Sequence, residues 1–141
     1  MRIEIDRESV CMADDMNDHR KLLDVDDDIT YEMLFSILKD MKFFPSVFGN
    51  NVVWVLTANG YDCIFSYFTL TDKLSQGLSD KMLKNICTNS NNYNFLFKYY
   101  NSPKKWKEAI YKMYNNDEYA MWRDGWSEEL GYCDILDEKS L

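Results

Sequence analysis

The sequence predicts an α+β fold, an antiparallel or mixed sheet with C-terminal helices packed on it, and three stretches carry that expectation. "RIEI", near the start, alternates apolar and charged residues with the period of a half-buried strand. "DITYEMLFSILKDM" then changes to helical spacing. "NNVVWVLTANGYDCIFSYF" sets an Asn-Gly pair between two β-branched and aromatic runs, the signature of a two-residue hairpin turn. Strands thus dominate the first half of the chain and amphipathic stretches the second.

In "RIEI", Ile3 and Ile5 point one way while Arg2, Glu4 and Asp6 point the other, and "RKLLDV" is expected to return beside it with Leu23 and Val25 on one face. "CMADDMNDHR" then becomes the acidic loop of an N-terminal hairpin. In the helix that follows, Tyr31, Leu34, Phe35, Leu38 and Met41 share a face, and Asp28 or Thr30 can cap the first turn. Asp26, Asp27, Asp28 and Glu32 gather at its positive end, where each acid is worth about 0.3–1 kcal/mol. Pro45 marks a connecting loop.

If Asn59-Gly60 sets the register of the next hairpin, Ala58 faces Tyr61, Leu56 faces Cys63, Trp54 faces Phe65 and Val52 faces Tyr67, all on one side of the sheet. Val53 and Val55 make the opposite face of the same strand apolar too, so this strand is expected to be central or covered on both sides. "TLTDKLSQG" reads as a polar connection, Ser79 as the cap of a short helix "DKMLKNIC", and "TNSNNYN" as a turn or loop. Ser102 caps and Pro103 opens a further helix, with Trp106, Ala109, Ile110, Met113 and Tyr114 on one face and Asn115-Asn116 as its stop. "DEYAMWRDGW" is expected to be a short helix closed by Gly125, and residues 134–141 a frayed tail. The order of hairpin, helix and further strands resembles the start of a ubiquitin-like β-grasp through about residue 68, a likeness of element order that implies no activity.

At 141 residues, 46% hydrophobic and 16% aromatic, the chain suits one domain spanning 1–141 with a sizeable core, despite a net charge of -8. It opens without the apolar run of a secretory signal and nowhere approaches the roughly 20 apolar residues of a membrane span, so a cytoplasmic protein without a membrane partner is expected. Cys11, Cys63, Cys87 and Cys133 form no CxxC pair and His19 is the single histidine, which predicts reduced thiols and no zinc site. No glycine-rich phosphate loop is present. Asp24, Asp26, Asp28 and Glu32 imitate the start of an EF-hand, but Ile29 stands where that loop needs glycine and Phe35 where it needs a bidentate glutamate. Cys11 and His19 could meet across the N-terminal hairpin as nucleophile and base, yet neighbouring aspartates would raise the thiol pKa and no third group orients the pair. No catalytic residue, metal or cofactor is therefore assigned.

Charge is the most informative property. Residues 1–41 carry -7, residues 42–114 carry +5 and residues 115–141 carry -6. Such a layout favours encounter with cationic surfaces and repels nucleic acid. The expected function is a non-catalytic acidic interaction protein that binds and blocks a basic partner. In size and charge the chain is similar to the immunity proteins that neutralise basic bacterial nuclease toxins. The candidate contact residues are Asp14, Asp15 and Asp18 in the first loop, and Asp117, Glu118, Asp124, Glu128 and Glu129 around the aromatic anchors Tyr119, Trp122 and Trp126.

Other readings compete with this one. The acidic ends could simply neutralise the central lysines, and the C-terminal aromatics could pack the last helix onto the domain. Lys98, Lys104, Lys105, Lys107 and Lys112 with Tyr99, Tyr100 and Trp106 could form a single-stranded nucleic-acid track, although the net charge opposes it. A small enzyme or ligand-binding module would use a pocket beside the central hairpin lined by Tyr61, Cys63 and Tyr67. An exposed strand edge could also pair two copies of the chain.

Overall fold

The computed structural model describes residues 1–10, 18–45, 51–58, 61–75, 79–86 and 93–139. The chain runs β1 (Arg2–Arg7), β2 (Lys21–Asp24), α1 (Tyr31–Asp40), β3 (Val53–Ala58), β4 (Tyr61–Phe68), β5 (Lys73–Ser75), α2 (Leu83–Ile86), β6 (Tyr93–Tyr100), α3 (Pro103–Met113), α4 (Glu118–Arg123) and α5 (Ser127–Lys139). The strands form one mixed sheet in the order β2-β1-β6-β3-β4-β5. Among the described residues only the β1–β6 pair is parallel. The fold is thus α+β, and the hairpin–helix–hairpin order behind the β-grasp resemblance is present through Phe68.

β3 explains the layering. Val53, Trp54, Val55 and Leu56 are all 0% exposed, because α1 covers one face of the sheet and the three C-terminal helices cover the other. On the first face Trp54 and Leu56 join Tyr31, Leu34, Phe35 and Leu38 of α1 with Phe65, Phe95 and Phe97. On the second, Val53 and Val55 join Phe68, Trp106, Ile110, Met121, Trp126 and Leu136. Each large apolar side chain so enclosed contributes about 1.5–3 kcal/mol. The expectation that this strand would be covered on both sides holds.

Local signals place the helices. Thr30 Oγ1 accepts from the Met33 N–H at 3.2 Å and is the cap of α1; Asp28 instead pairs with Lys84. Asp27 meets the Met1 amino group at 2.9 Å, so these acids are matched to cations besides favouring the helix start. Ser102 Oγ accepts from the Lys105 N–H at 3.1 Å, with Pro103 as the first helical residue of α3. Asn115 and Asn116 adopt φ of 54° and 60°, the left-handed pair that stops α3.

Several expectations are corrected. β4 does not follow the register of a simple two-residue hairpin: Ala58 pairs with Tyr61, but Leu56 pairs with Phe65 and Trp54 with Tyr67. The additional β4 residues between these pairs form a bulge that places Ile64 and Phe65 on the α1 side and turns Cys63 to the other face. The Asn59-Gly60 turn lies outside the described residues. "TLTDKLSQG" contains the edge strand β5, and the short helix begins only at Leu83. The turn or loop expected over "TNSNNYN" gives way at Tyr93 to β6, which runs through the unassigned "FLFKYY", with Phe95 and Phe97 buried and β1 and β3 on its two sides. Met41 is 44% exposed and forms, with Met33 and Ile37, an outward strip on α1. Residues 134–139 are the last turns of α5 rather than a tail: Leu136 is 0% exposed, and its carbonyl accepts from Asn51 Nδ2 at 3.1 Å.

Between the sheet and α3, Trp106 Nε1–H donates to Ser66 Oγ at 2.9 Å, with both residues 0% exposed. Ser66→Ala would strand that buried N–H, and a loss of about 1–3 kcal/mol is expected in denaturant unfolding. A loss below half a kcal/mol would show that water reaches the indole.

Candidate interaction surface

The C-terminal acidic block folds into α4, a tight turn and the start of α5. Asp117 caps α4, accepting from the Ala120 N–H at 3.1 Å, and Glu118 follows in its first turn. Helical geometry sets Tyr119 and Trp122 three residues apart on one face, with Glu118 four before Trp122. Their large exposure, 75% for Tyr119 and 63% for Trp122, makes them the two most exposed aromatic residues among those described. Met121, between them in sequence, is fully buried and anchors the helix.

The turn after α4 separates the three candidate anchors. Gly125 at φ 90° lets its N–H reach the Trp122 carbonyl at 3.0 Å and the Trp126 N–H reach the Met121 carbonyl at 2.8 Å. This is the glycine-dependent C-terminal motif in which the residue after the glycine contacts one a turn earlier, here Trp126 against Met121. Trp126 is consequently 3% exposed, stacked edge-on to Trp106 with ring centres 5.6 Å apart, and is no surface anchor. Its Nε1–H donates to Tyr114 Oη at 2.9 Å, and that hydroxyl donates to Asp124 Oδ2 at 2.9 Å.

The acids of the block divide accordingly. Asp124 is held by Arg123 at 3.1 Å and by Tyr114, and these two donors hold its carboxyl below the usual range. Burial and the Asp124 carboxylate push the Tyr114 phenol up to about 12. Glu129 is half-buried. Glu118 and Glu128 are exposed and have no ion-pair partner among the described residues. The group that the structure brings together is therefore Asp117, Glu118, Tyr119, Trp122 and Asp124, with Glu128 at the start of α5.

Asp18 does not join it. That carboxylate accepts from the Arg20 backbone N–H at 3.0 Å and from its guanidinium, and both bonds lower its pKa. Asp14, Asp15 and Cys11 lie outside the described residues, while His19 Nε2 sits 3.3 Å from Ser9 Oγ.

The competing readings meet specific obstacles. Cys63 packs against the α3–α5 side and Tyr67 against the α1 side, so the two cannot line one pocket beside the hairpin. Burial pushes the Cys63 and Cys133 thiols up to about 12, far from the acidity of a nucleophile. Of the basic-aromatic group, Trp106 is fully buried and Tyr99 stacks on Trp54 at 5.2 Å. Lys107 bonds Asp134 at 2.8 Å inside a shallow cleft of about 750 Å³ between α3 and α5. Central lysines are thus partly neutralised by the C-terminal acids. Among the described residues no His, Cys, Asp and Glu cluster could hold a metal ion, and no helix is long and apolar enough to cross a membrane.

No known family model, no curated protein and no solved structure matches this chain.

Two outcomes follow. With Cys11→Ser, Cys63→Ser and Cys87→Ser in place, Cys133, which is 0% exposed, should react with a disulfide reagent at pH 8 only after unfolding; rapid labelling of the native protein would contradict its burial. Because the folded Asp124 carboxyl is depressed, its contribution to stability is complete above the ordinary pKa of about 3.9 and lost as pH falls through the folded value. Asp124→Asn should flatten the acid limb of stability below about pH 4, measured by urea unfolding at several pH values.

Proposed function

We propose that this chain is a non-catalytic interaction protein that binds and blocks a basic protein, a nuclease toxin being one partner of that chemistry. The observation that carries the reading is the α4 surface: Tyr119 and Trp122 stand exposed on one helical face beside Glu118, with Glu128 on the adjoining turn. A rigid aromatic pair costs little conformational entropy to bury, and tyrosine and tryptophan dominate the affinity of protein interfaces. Unpaired carboxylates around them would steer a cationic partner and speed its arrival. Acids elsewhere on the molecule are more often tied internally, as Asp72 is by Lys39 and Asp134 by Lys107.

Within this surface Asp117 and Asp124 have structural duties, as cap and as partner of Tyr114, so changes there would mix folding with binding. The informative variants are Tyr119→Ala, Trp122→Ala, Glu118→Lys and Glu128→Lys. Protein captured from the source cell on immobilised wild-type chain should be basic. Each aromatic truncation should weaken its capture about tenfold or more, through faster dissociation. The charge reversals should slow association and reduce its salt dependence in chains that remain folded at the assay temperature. Retention that ignores both aromatic variants, or partners without net positive charge, would refute the proposal.

A further inference from the structure

The sheet ends on one side at β2, a four-residue strand whose outer edge carries Leu22 at 67% exposure, an apolar residue where an edge normally shows only charge. The hydrogen-bond parity of the β1–β2 pair shows what that edge offers. Met1 and Val25 exchange both backbone bonds, the Val25 N–H to the Met1 carbonyl at 2.9 Å and the Met1 nitrogen to the Val25 carbonyl at 2.8 Å. Alternation along an antiparallel ladder then directs the backbone groups of Leu23 and Lys21 toward β1 and those of Leu22 and Asp24 outward.

From this geometry we infer that the β2 edge is a self-complementary interface, and that its occupant is a second copy of this chain paired antiparallel through β2 about a twofold axis at Leu22. A twofold axis perpendicular to the sheet keeps each side chain on its own face, so it must bring a residue opposite its own copy or opposite one an even number of positions away. With Leu22 opposite Leu22 of the second copy, Arg20 falls opposite Asp24 of the second copy. Each Leu22 N–H donates to the other Leu22 carbonyl, and each Asp24 N–H donates to the other Arg20 carbonyl. The Arg20 N–H remains with Asp18, as it is in the monomer.

Charge supports this register. Arg2 lies opposite Asp24 across β1 and β2, bonded at 3.2 Å, and Asp6 neighbours Arg20 one step beyond the Ile5–Lys21 pair. Across the joined edge the row on that face reads Arg2, Asp24, then Arg20 and Asp6 of the second copy, alternating in sign throughout. Glu4 flanks the central leucines on each side. The face bearing this row lies on the sheet side away from α1, as Leu22 and Glu4 alternate with the core residues Leu23 and Ile3. At the opposite end of the sheet, β5 is shorter and its Leu74 packs against the core, so no exposed leucine invites pairing there.

A four-residue edge is a small interface, so dimer should appear only between about 10 μM and 1 mM in sedimentation equilibrium. Leu22→Glu should raise the dissociation constant at least about tenfold by placing like charges opposite each other. Leu22→Pro should do the same while leaving the β1 ladder intact, since the N–H it removes points outward. Leu22→Cys, in a chain with Cys11→Ser and Cys87→Ser, should oxidise to a disulfide-linked dimer, because directly opposed residues of a hydrogen-bonded pair sit about 5.5 Å apart. Met33→Cys, on the outer strip of α1, should stay monomeric under the same oxidation. A wild-type chain monomeric to about 1 mM overturns the inference. So does a dimer whose affinity ignores Leu22→Glu, or one that Leu22→Cys does not link.

Discussion

The burial of β3 on both faces is the constraint from which the rest of the molecule follows. A strand with Val53, Trp54, Val55 and Leu56 all enclosed needs an apolar layer above and below it, and a single amphipathic helix can supply only one. α1 forms the first layer. The C-terminal helices, with Trp106 fixed to Ser66 and packed edge-on to Phe68, form the second. The position of α4, and with it the orientation of the candidate surface, is a consequence of completing that second layer.

Within the second layer a glycine determines which aromatic is structural. Trp122 and Trp126 have nearly the same acidic surroundings in the sequence, yet one is outside and one inside. Gly125 turns the chain so that the second indole closes onto Met121 and Trp106, and its N–H finds Tyr114. The first indole stays on the outer face of a helix too short to hide it. An exposed tryptophan and a core one thus come from the same ten-residue stretch through one left-handed position. That assignment was accessible in principle, since glycine at this place implies contact between Met121 and Trp126, but composition alone gave both tryptophans equal standing.

Charge reorganises in a comparable way. The acidic and basic blocks of the chain do interlock, through Lys107 with Asp134, Lys84 with Asp28 and Lys39 with Asp72. Exposed ion pairs of this kind contribute little stability individually, but they reduce how much of the net charge is available to an outside partner. Among the described residues Asp26, Glu32, Asp40, Asp62 and Asp80 form no ion pair either, so what distinguishes Glu118 is its place on the helix that exposes Tyr119 and Trp122 rather than its lack of a cation.

Local chemistry in the sequence determined the helix starts at Thr30 and Ser102, the stops at Asn115–Asn116 and Gly125, the N-terminal hairpin and the two-sided burial of β3. These depend on capping, backbone preference and side-chain period, all of which act over a few residues. Tertiary structure alone decided that β6 enters the middle of the sheet, parallel to β1, because pairing between residues some ninety positions apart leaves no local mark. It also decided the β4 bulge, which sent Cys63 and Tyr67 to opposite faces and divided the hairpin pocket that their spacing suggested. The candidate surface was legible in its residues and not in its membership: Tyr119, Trp122 and Glu118 belong to it because packing left them outside, and Trp126 does not because packing took it in.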